Sequence, residues 1–282
     1  MNYENIPFKV CGSVAVLCDL WTPEPEKVPE GGSPLVIFYH GGGWLFGDKG
    51  GWGVARHWRD MLMEKGVAFV TAGYRHKGYG GQMPTTVADC ADAVRFFRKN
   101  AAEYGINPDK IILSGHSAGG HLALLTALTQ DKFRDNWSDK ETECRVCGAV
   151  PLAGPASMQF AAYEKPVYNK RVQYLVQALV GEKVEDPEVV AEAEPIRYVE
   201  RGEAAKLPVL MVQPEEDQIV PPGMARDICR IATEKGYDFR LLPLEGTGHC
   251  WETPETTEVS PAAKASDAVI YDFVMEIFGL EK

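Results

Sequence analysis

Two short stretches of this chain combine residue types that can do chemistry. In Gly115-His116-Ser117-Ala118-Gly119-Gly120 a serine stands between glycines. A serine hydroxyl is a weak nucleophile at neutral pH, but one lifted out of a tight turn beside a base can attack an acyl carbon. In His40-Gly41-Gly42-Gly43-Trp44 three glycines follow one another. Such a run carries a conformational-entropy cost that a plain loop would seldom bear. It does let backbone N–H groups approach a ligand with no side chain in the way. Together the stretches suggest acyl transfer through a covalent acyl-Ser117, with the oxyanion of the tetrahedral intermediate held by the N–H groups of Gly41, Gly42 and Ala118.

Both stretches need elements that aim them. The apolar, β-branched run before Ser114 reads as a buried parallel strand over 110–114, and His121 to Gln130 is rich in helix formers. Ser117 therefore falls on a strand-to-helix turn, and the new helix points its N-terminus at the hydroxyl. Pro34 to Tyr39 is a continuous apolar strand that delivers the glycine run. Residues 8–22 alternate around Val14, Val16 and Leu20 and stop at Pro23 and Pro25, which predicts an early hairpin or paired edge strands. A helix is expected over 52–65 and another over 86–104, with strands at 67–72, 148–154, 208–212 and 239–244. Met224 to Lys235 reads as a helix, and a closing helix surrounds Val269, Phe273, Val274 and Ile277. Alternating strands and helices describe a parallel sheet covered on both faces, hence an α/β fold. Asp131 to Cys144 reads as a charged surface excursion.

Composition narrows the function. With 282 residues and a net charge of -11, the chain lacks the clustered cations that nucleic acid or an anionic membrane surface would require. No apolar run is long enough to span a membrane, and no secretory leader is evident, since Lys9 is the only early base and Glu4 precedes the apolar stretch. Seven scattered cysteines suit free thiols in a reducing, cytoplasmic compartment. Cys144 and Cys147 form a lone C-x-x-C without the second pair that a zinc site needs.

The pairing of His40-Gly-Gly-Gly-Trp44 with Gly115-His-Ser-Ala-Gly-Gly120 resembles the α/β-hydrolase superfamily. Within it the chain is similar to the hormone-sensitive-lipase-like and acetyl-esterase branch, near acetylxylan and feruloyl esterases, from about Val14 onward. The resemblance implies one domain over 1–282, with a central mostly parallel sheet and a lid or cap over 156–206. An ordinary packed helix is an equal account of the second half of that segment. It also implies an acid in the loop after the strand at 208–212, where Asp217, Val220 and Pro221 match the family pattern. Pro214 replaces the usual glycine there, and Glu216 remains an alternative to Asp217. His249, in a glycine-containing loop after the last core strand, completes the order Ser117, Asp217, His249.

The implied chemistry is hydrolysis of short acyl esters, acetyl esters on a sugar or plant polysaccharide among them, with no metal or organic cofactor. The partner is then a small-molecule ester. Trp44, His116 and Trp251 are expected at the mouth as substrate-binding residues that crowd long acyl chains. Two other readings share the motifs. One is an arylformamidase-like amidase or a peptidase, although 282 residues leave little room for the propeller such a peptidase carries. The other is a non-catalytic binding protein on the hydrolase scaffold.

Overall fold

The computed structural model describes residues 2–51, 53–163, 169–253 and 258–281. The alternating N-terminal segment forms a hairpin, β1 (Asn2–Cys11) and β2 (Val14–Trp21), turned at Gly12 with φ 61. The apolar runs become β3 (Ser33–Tyr39), β4 (Ala68–Ala72), β5 (Ile106–His116), β6 (Gly148–Leu152), β7 (Val209–Pro214) and β8 (Phe239–Leu244). They make one sheet in the order β1-β2-β4-β3-β5-β6-β7-β8. Pairing from β4 through to β8 is parallel throughout, and the hairpin joins antiparallel through β2 and β4. This is the mostly parallel α/β architecture expected from the strand–helix alternation.

Period-two alternation explains why the runs are apolar without interruption. Leu35, Ile37 and Tyr39 enter one core cluster, while Val36 and Phe38 enter the other on the opposite face. Helices cover both faces. They are α1 (Arg56–Met63), α2 (Thr85–Lys99), α3 (Ala101–Tyr104), α4 (Ala118–Thr129), α5 (Asn169–Val180), α6 (Pro187–Ala191), α7 (Pro195–Arg201), α8 (Pro222–Glu234) and α9 (Pro261–Phe278). Among the described residues, no helix is long and apolar enough to cross a membrane.

Several expected boundaries move. The helix expected over 86–104 breaks at Asn100, whose side-chain amide donates to the Phe96 carbonyl at 2.8 Å and ends α2. A single turn, α3, then runs to Gly105 at φ 65. The first helix begins only at Arg56, after a 3-10 turn over Gly53–Ala55, and Trp52 lies outside the described residues. The helix after Ser117 starts at Ala118 rather than His121.

The excursion after α4 is more than a solvated surface. Phe133, Ser138 and Cys144 are buried, and burial pushes the Cys144 thiol up to about 12. The Lys9 ammonium meets Asp89 at 2.8 Å, Asp92 at 2.6 Å and Asp135 at 3.0 Å. Carboxylates this deep need a cation, so the excursion is tied to the hairpin and to α2. In the segment 156–206, Met158 and Phe160 are buried and Tyr174 is exposed, while Tyr168 lies outside the described residues. Its second half packs on the body: the Ala205 N–H donates to Leu128 of α4 at 2.8 Å, and that of Ile196 to Ala156 at 3.0 Å.

Candidate active site

The turn between β5 and α4 puts Ser117 at φ 57 and ψ -121, a region that L-residues rarely occupy. Holding it there costs on the order of 1–3 kcal/mol, and the surroundings must enforce it. The Ser117 N–H donates to the Leu152 carbonyl at 2.8 Å, and its own carbonyl accepts the His121 N–H at 3.0 Å. Close approach requires Gly119: a Cβ there would lie 2.1 Å from the Tyr39 carbonyl oxygen at the end of β3.

The serine hydroxyl is 2.9 Å from His249 Nε2, and His249 Nδ1 is 2.7 Å from Asp217 Oδ2. An ionised carboxylate only accepts, so the proton on Nδ1 faces Asp217 and Nε2 is left to accept from Ser117. Asp217 and His249 are both buried. The other Asp217 oxygen accepts the N–H groups of Ile219 and Val220, each at 2.8 Å, which fixes the carboxylate from its own loop. Gln213 Nε2 adds a longer contact to Oδ2 at 3.3 Å. Glu216, the alternative acid, faces elsewhere. Its carboxylate accepts the Thr247 N–H at 2.8 Å, while its N–H donates to the Thr247 carbonyl at 3.1 Å, clasping the loop that carries His249.

On the other side of Ser117 lies the glycine run. A Cβ on Gly41 would stand 3.3 Å from the Ser117 Cβ, so the run borders the serine directly. Gly42 sits at φ 123, and a side chain there would meet the Phe46 carbonyl at 2.0 Å. The loop's carbonyls are bound: that of Gly41 accepts from His40 Nδ1 at 2.7 Å, and that of Gly42 accepts from Leu45 at 3.1 Å and Phe46 at 3.2 Å. Among the described residues, no acceptor receives the N–H groups of Gly41, Gly42 or Ala118. Ala118 is the first residue of α4, where an N–H has no intrahelical partner.

The three residues expected to contact substrate are each held by other protein groups. Trp44 (3% exposed) and Trp251 (4%) are buried, and both take positive φ, at 58 and 70. The Trp44 indole N–H donates to His121 Nδ1 at 3.1 Å, and Trp251 packs edge-on against His116 with ring centres 5.4 Å apart. Both indoles are thus packed against other side chains. His116 Nε2–H donates to the His249 carbonyl at 2.8 Å, and burial, followed by the charge of His249, lowers its pKa to about 4. That bond ties His116 to the loop that carries His249. Two polar residues escaped the sequence reading, Glu216 in its clasping role and His121. The available signal for His121 was one imidazole on a helix otherwise built from Ala, Gly, Leu and Thr.

Among the described residues, Cys11, Asp89 and Asp135 form a group whose ligand atoms lie within 4.8 Å of one another, close enough for a metal. Lys9 and Arg75 already occupy those carboxylates. Cys147 is spoken for as well, its thiol donating to the Ile111 carbonyl at 3.2 Å.

A profile of the BD-FAE family matches residues 18–230. The chain belongs to this family. With it the chain falls in an esterase branch of the α/β-hydrolase superfamily. A probable carboxylic ester hydrolase of Mycobacterium tuberculosis, LipM, is 26% identical over 267 residues, covering 93% of this chain and 58% of its own length. A probable isoprenylcysteine alpha-carbonyl methylesterase of Oryza sativa is 36% identical over 240 residues, 82% of this chain and 54% of that one. The BD-FAE chain thus spans little more than half the length of these curated relatives. Esterase 2 of Thermogutta terrifontis with propionate bound superposes at a TM-score of 0.77 and 22% identity, over 99% of this chain and 96% of that one. A truncated carbohydrate esterase from gut microbiota gives 0.77 at 19% identity, over 98% and 96%. At such identities the likeness establishes the shared fold.

Proposed function

We propose that this BD-FAE chain is a serine carboxylesterase that hydrolyses short-chain esters through an acyl-Ser117 intermediate. The observation that carries the reading is the continuous hydrogen-bonded line Ser117–His249–Asp217, at 2.9 and 2.7 Å. His249 Nε2 takes the hydroxyl proton as Ser117 Oγ attacks the ester carbonyl, and Asp217 stabilises the imidazolium so formed. The carbonyl oxygen becomes an oxyanion, held by the N–H groups of Gly41, Gly42 and Ala118. Collapse breaks the bond to the alkoxy oxygen, and His249 returns the proton to the departing alcohol. A water, deprotonated by His249 in turn, then attacks the acyl-serine, releasing the acid and restoring the hydroxyl.

Acetyl or similarly small acyl groups, with a carbohydrate as the alcohol, are the substrates favoured by the family resemblance and by neighbours described as propionate-bound and as a carbohydrate esterase. Helix α5, in the first half of the segment 156–206, serves as a cap, since its Leu175 reaches the glycine run, where a Cβ on Gly43 would stand 2.7 Å from it. The free, scattered cysteines support a reducing, cytoplasmic compartment. The test is turnover of p-nitrophenyl acetate, butyrate and octanoate beside Ser117→Ala. Serine-dependent turnover that falls with chain length is expected. No turnover of any ester overturns the reading, and cleavage of N-formylkynurenine in its place would establish the amidase.

A further inference from the structure

We propose that His121 is a positioning residue, which holds the oxyanion loop against the serine turn by tethering Trp44. His121 is wholly buried on α4, four residues beyond Ser117. Its Nδ1 accepts the Trp44 indole N–H at 3.1 Å, and its Nε2–H donates to the Ala193 carbonyl at 2.7 Å. An indole nitrogen can only donate and a carbonyl can only accept, so the two partners fix a single neutral tautomer. Burial keeps it neutral, lowering the pKa to about 4. One imidazole therefore spans three separate pieces of chain: the loop after β3, the helix after the nucleophile, and the stretch between α6 and α7.

The loop needs such a tether. Its three glycines favour no single conformation, the Gly41 and Gly42 carbonyls bond only within the 40–46 segment, and the outside anchors of its flanking carbonyls, Tyr74 OH on His40 at 2.9 Å and Lys77 N–H on Trp44 at 3.0 Å, do not come from α4. Trp44 follows the last glycine, and its edge-on contact with His121, ring centres 5.1 Å apart, is what ties that end of the loop to α4. If the tether slackens, the Gly41 and Gly42 donors drift from the oxyanion position, and a shift of about 1 Å can cost on the order of a hundredfold in rate. The inference rests on Ser117 being the nucleophile.

The experiment compares His121→Leu, His121→Gln, Trp44→Phe and the Leu/Phe double variant with the intact chain, using p-nitrophenyl acetate and Ser117→Ala as reference. Because His121 is buried, Trp44→Phe is the second handle: it keeps an aromatic ring and removes only the indole and its N–H. His121→Leu and Trp44→Phe are each expected to lower kcat by about ten- to a hundredfold with KM within about twofold. The double variant should be no worse than either single one. His121→Gln, whose amide can both accept from Trp44 and donate to Ala193, should recover most of kcat. By proton–nitrogen NMR, the Trp44 indole N–H should shift and lose exchange protection in His121→Leu, whatever the activity. Multiplicative kcat losses, a change confined to KM, or an unmoved indole resonance would each overturn the tether. A Ser117→Ala chain as active as the intact one would overturn the nucleophile assignment instead, and the NMR result would still stand for the tether alone.

Discussion

Gly119→Ala tests whether the close contact between β3 and α4 sets the distance from the serine to its oxyanion donors. The added Cβ would fall 2.1 Å from the Tyr39 carbonyl oxygen and 2.5 Å from that of His40. Both obstacles are backbone, so no side-chain rotation relieves them. Ordinary contact begins near 3.4 Å, and strand and helix must therefore part by about 1 Å. Tyr39 is held in register with Ala72 on one side and Gly115 on the other, so β3 cannot slide along the sheet. The displacement passes to its free end, which continues as Gly41 and Gly42. Overpacking of this kind costs about 1–3 kcal/mol, or several degrees of Tm for a chain of this size. Donors moved by about 1 Å lower kcat by about a hundredfold while leaving KM nearly constant. The assay is p-nitrophenyl acetate hydrolysis beside a circular-dichroism melt. Gly53→Ala, where a Cβ meets nothing within 4 Å, is the control and should change neither. A Gly119→Ala enzyme with kcat within about threefold and an unchanged melt would refute the steric reasoning.

Asp217→Asn should lower kcat by about 10³–10⁴-fold, because an amide facing His249 Nδ1 favours the wrong tautomer. Glu216→Gln, which keeps an acceptor for Thr247, should stay within about tenfold; a larger loss there than in Asp217→Asn would exchange the two roles. Lys9→Met removes the cation that Asp89, Asp92 and Asp135 share but leaves them Arg75 and Arg95, and should destabilise by about 1–3 kcal/mol, read as a melt several degrees lower, with kcat at room temperature unchanged. Stability should also depend on pH through buried histidines. Burial lowers His40, His116 and His121 each from 6.5 to about 4, so the unfolded chain binds more protons between those values and stability falls as pH drops from 6.5 toward 4. Three such groups give a limiting slope of about 4 kcal/mol per pH unit. Asp135 acts lower still: burial opposes its ionisation, but the bonds from Lys9 and Arg75 outweigh this and hold it near about 2, so its contribution is lost only as pH falls below 3.8. Urea midpoints at pH 7, 6 and 5 would decide, and a flat profile would contradict the histidine account.

The features legible in the sequence were those whose causes are local. A strand buried on both faces must be apolar at every position, and a tight strand-to-helix turn must have glycine wherever backbones touch, so β3, β5 and the Ser117 turn could be read directly. Periodicity misled at Asn100, since the apolar spacing continues while one side-chain amide closes α2. Bulk alone points Trp44 and Trp251 to a mouth, but it does not announce that both are buried or that the Trp44 N–H finds a buried acceptor in His121. The choice between Asp217 and Glu216 turned on reach: the shorter side chain accepts N–H groups two and three residues ahead and still meets His249, while the longer one reaches across to Thr247. Least legible were contacts between residues far apart in the chain. Lys9 meets Asp89, Asp92 and Asp135, and Trp44 meets His121, without any spacing that announces either pair. Local motifs therefore say where a nucleophile and its donors stand, while long-range polar contacts decide whether they stay within a few tenths of an ångström of their working positions. Motif-preserving substitutions at His121, His116 or Glu216 should accordingly separate catalytic rate from fold more cleanly than changes in the apolar core, where each lost contact loosens the whole sheet.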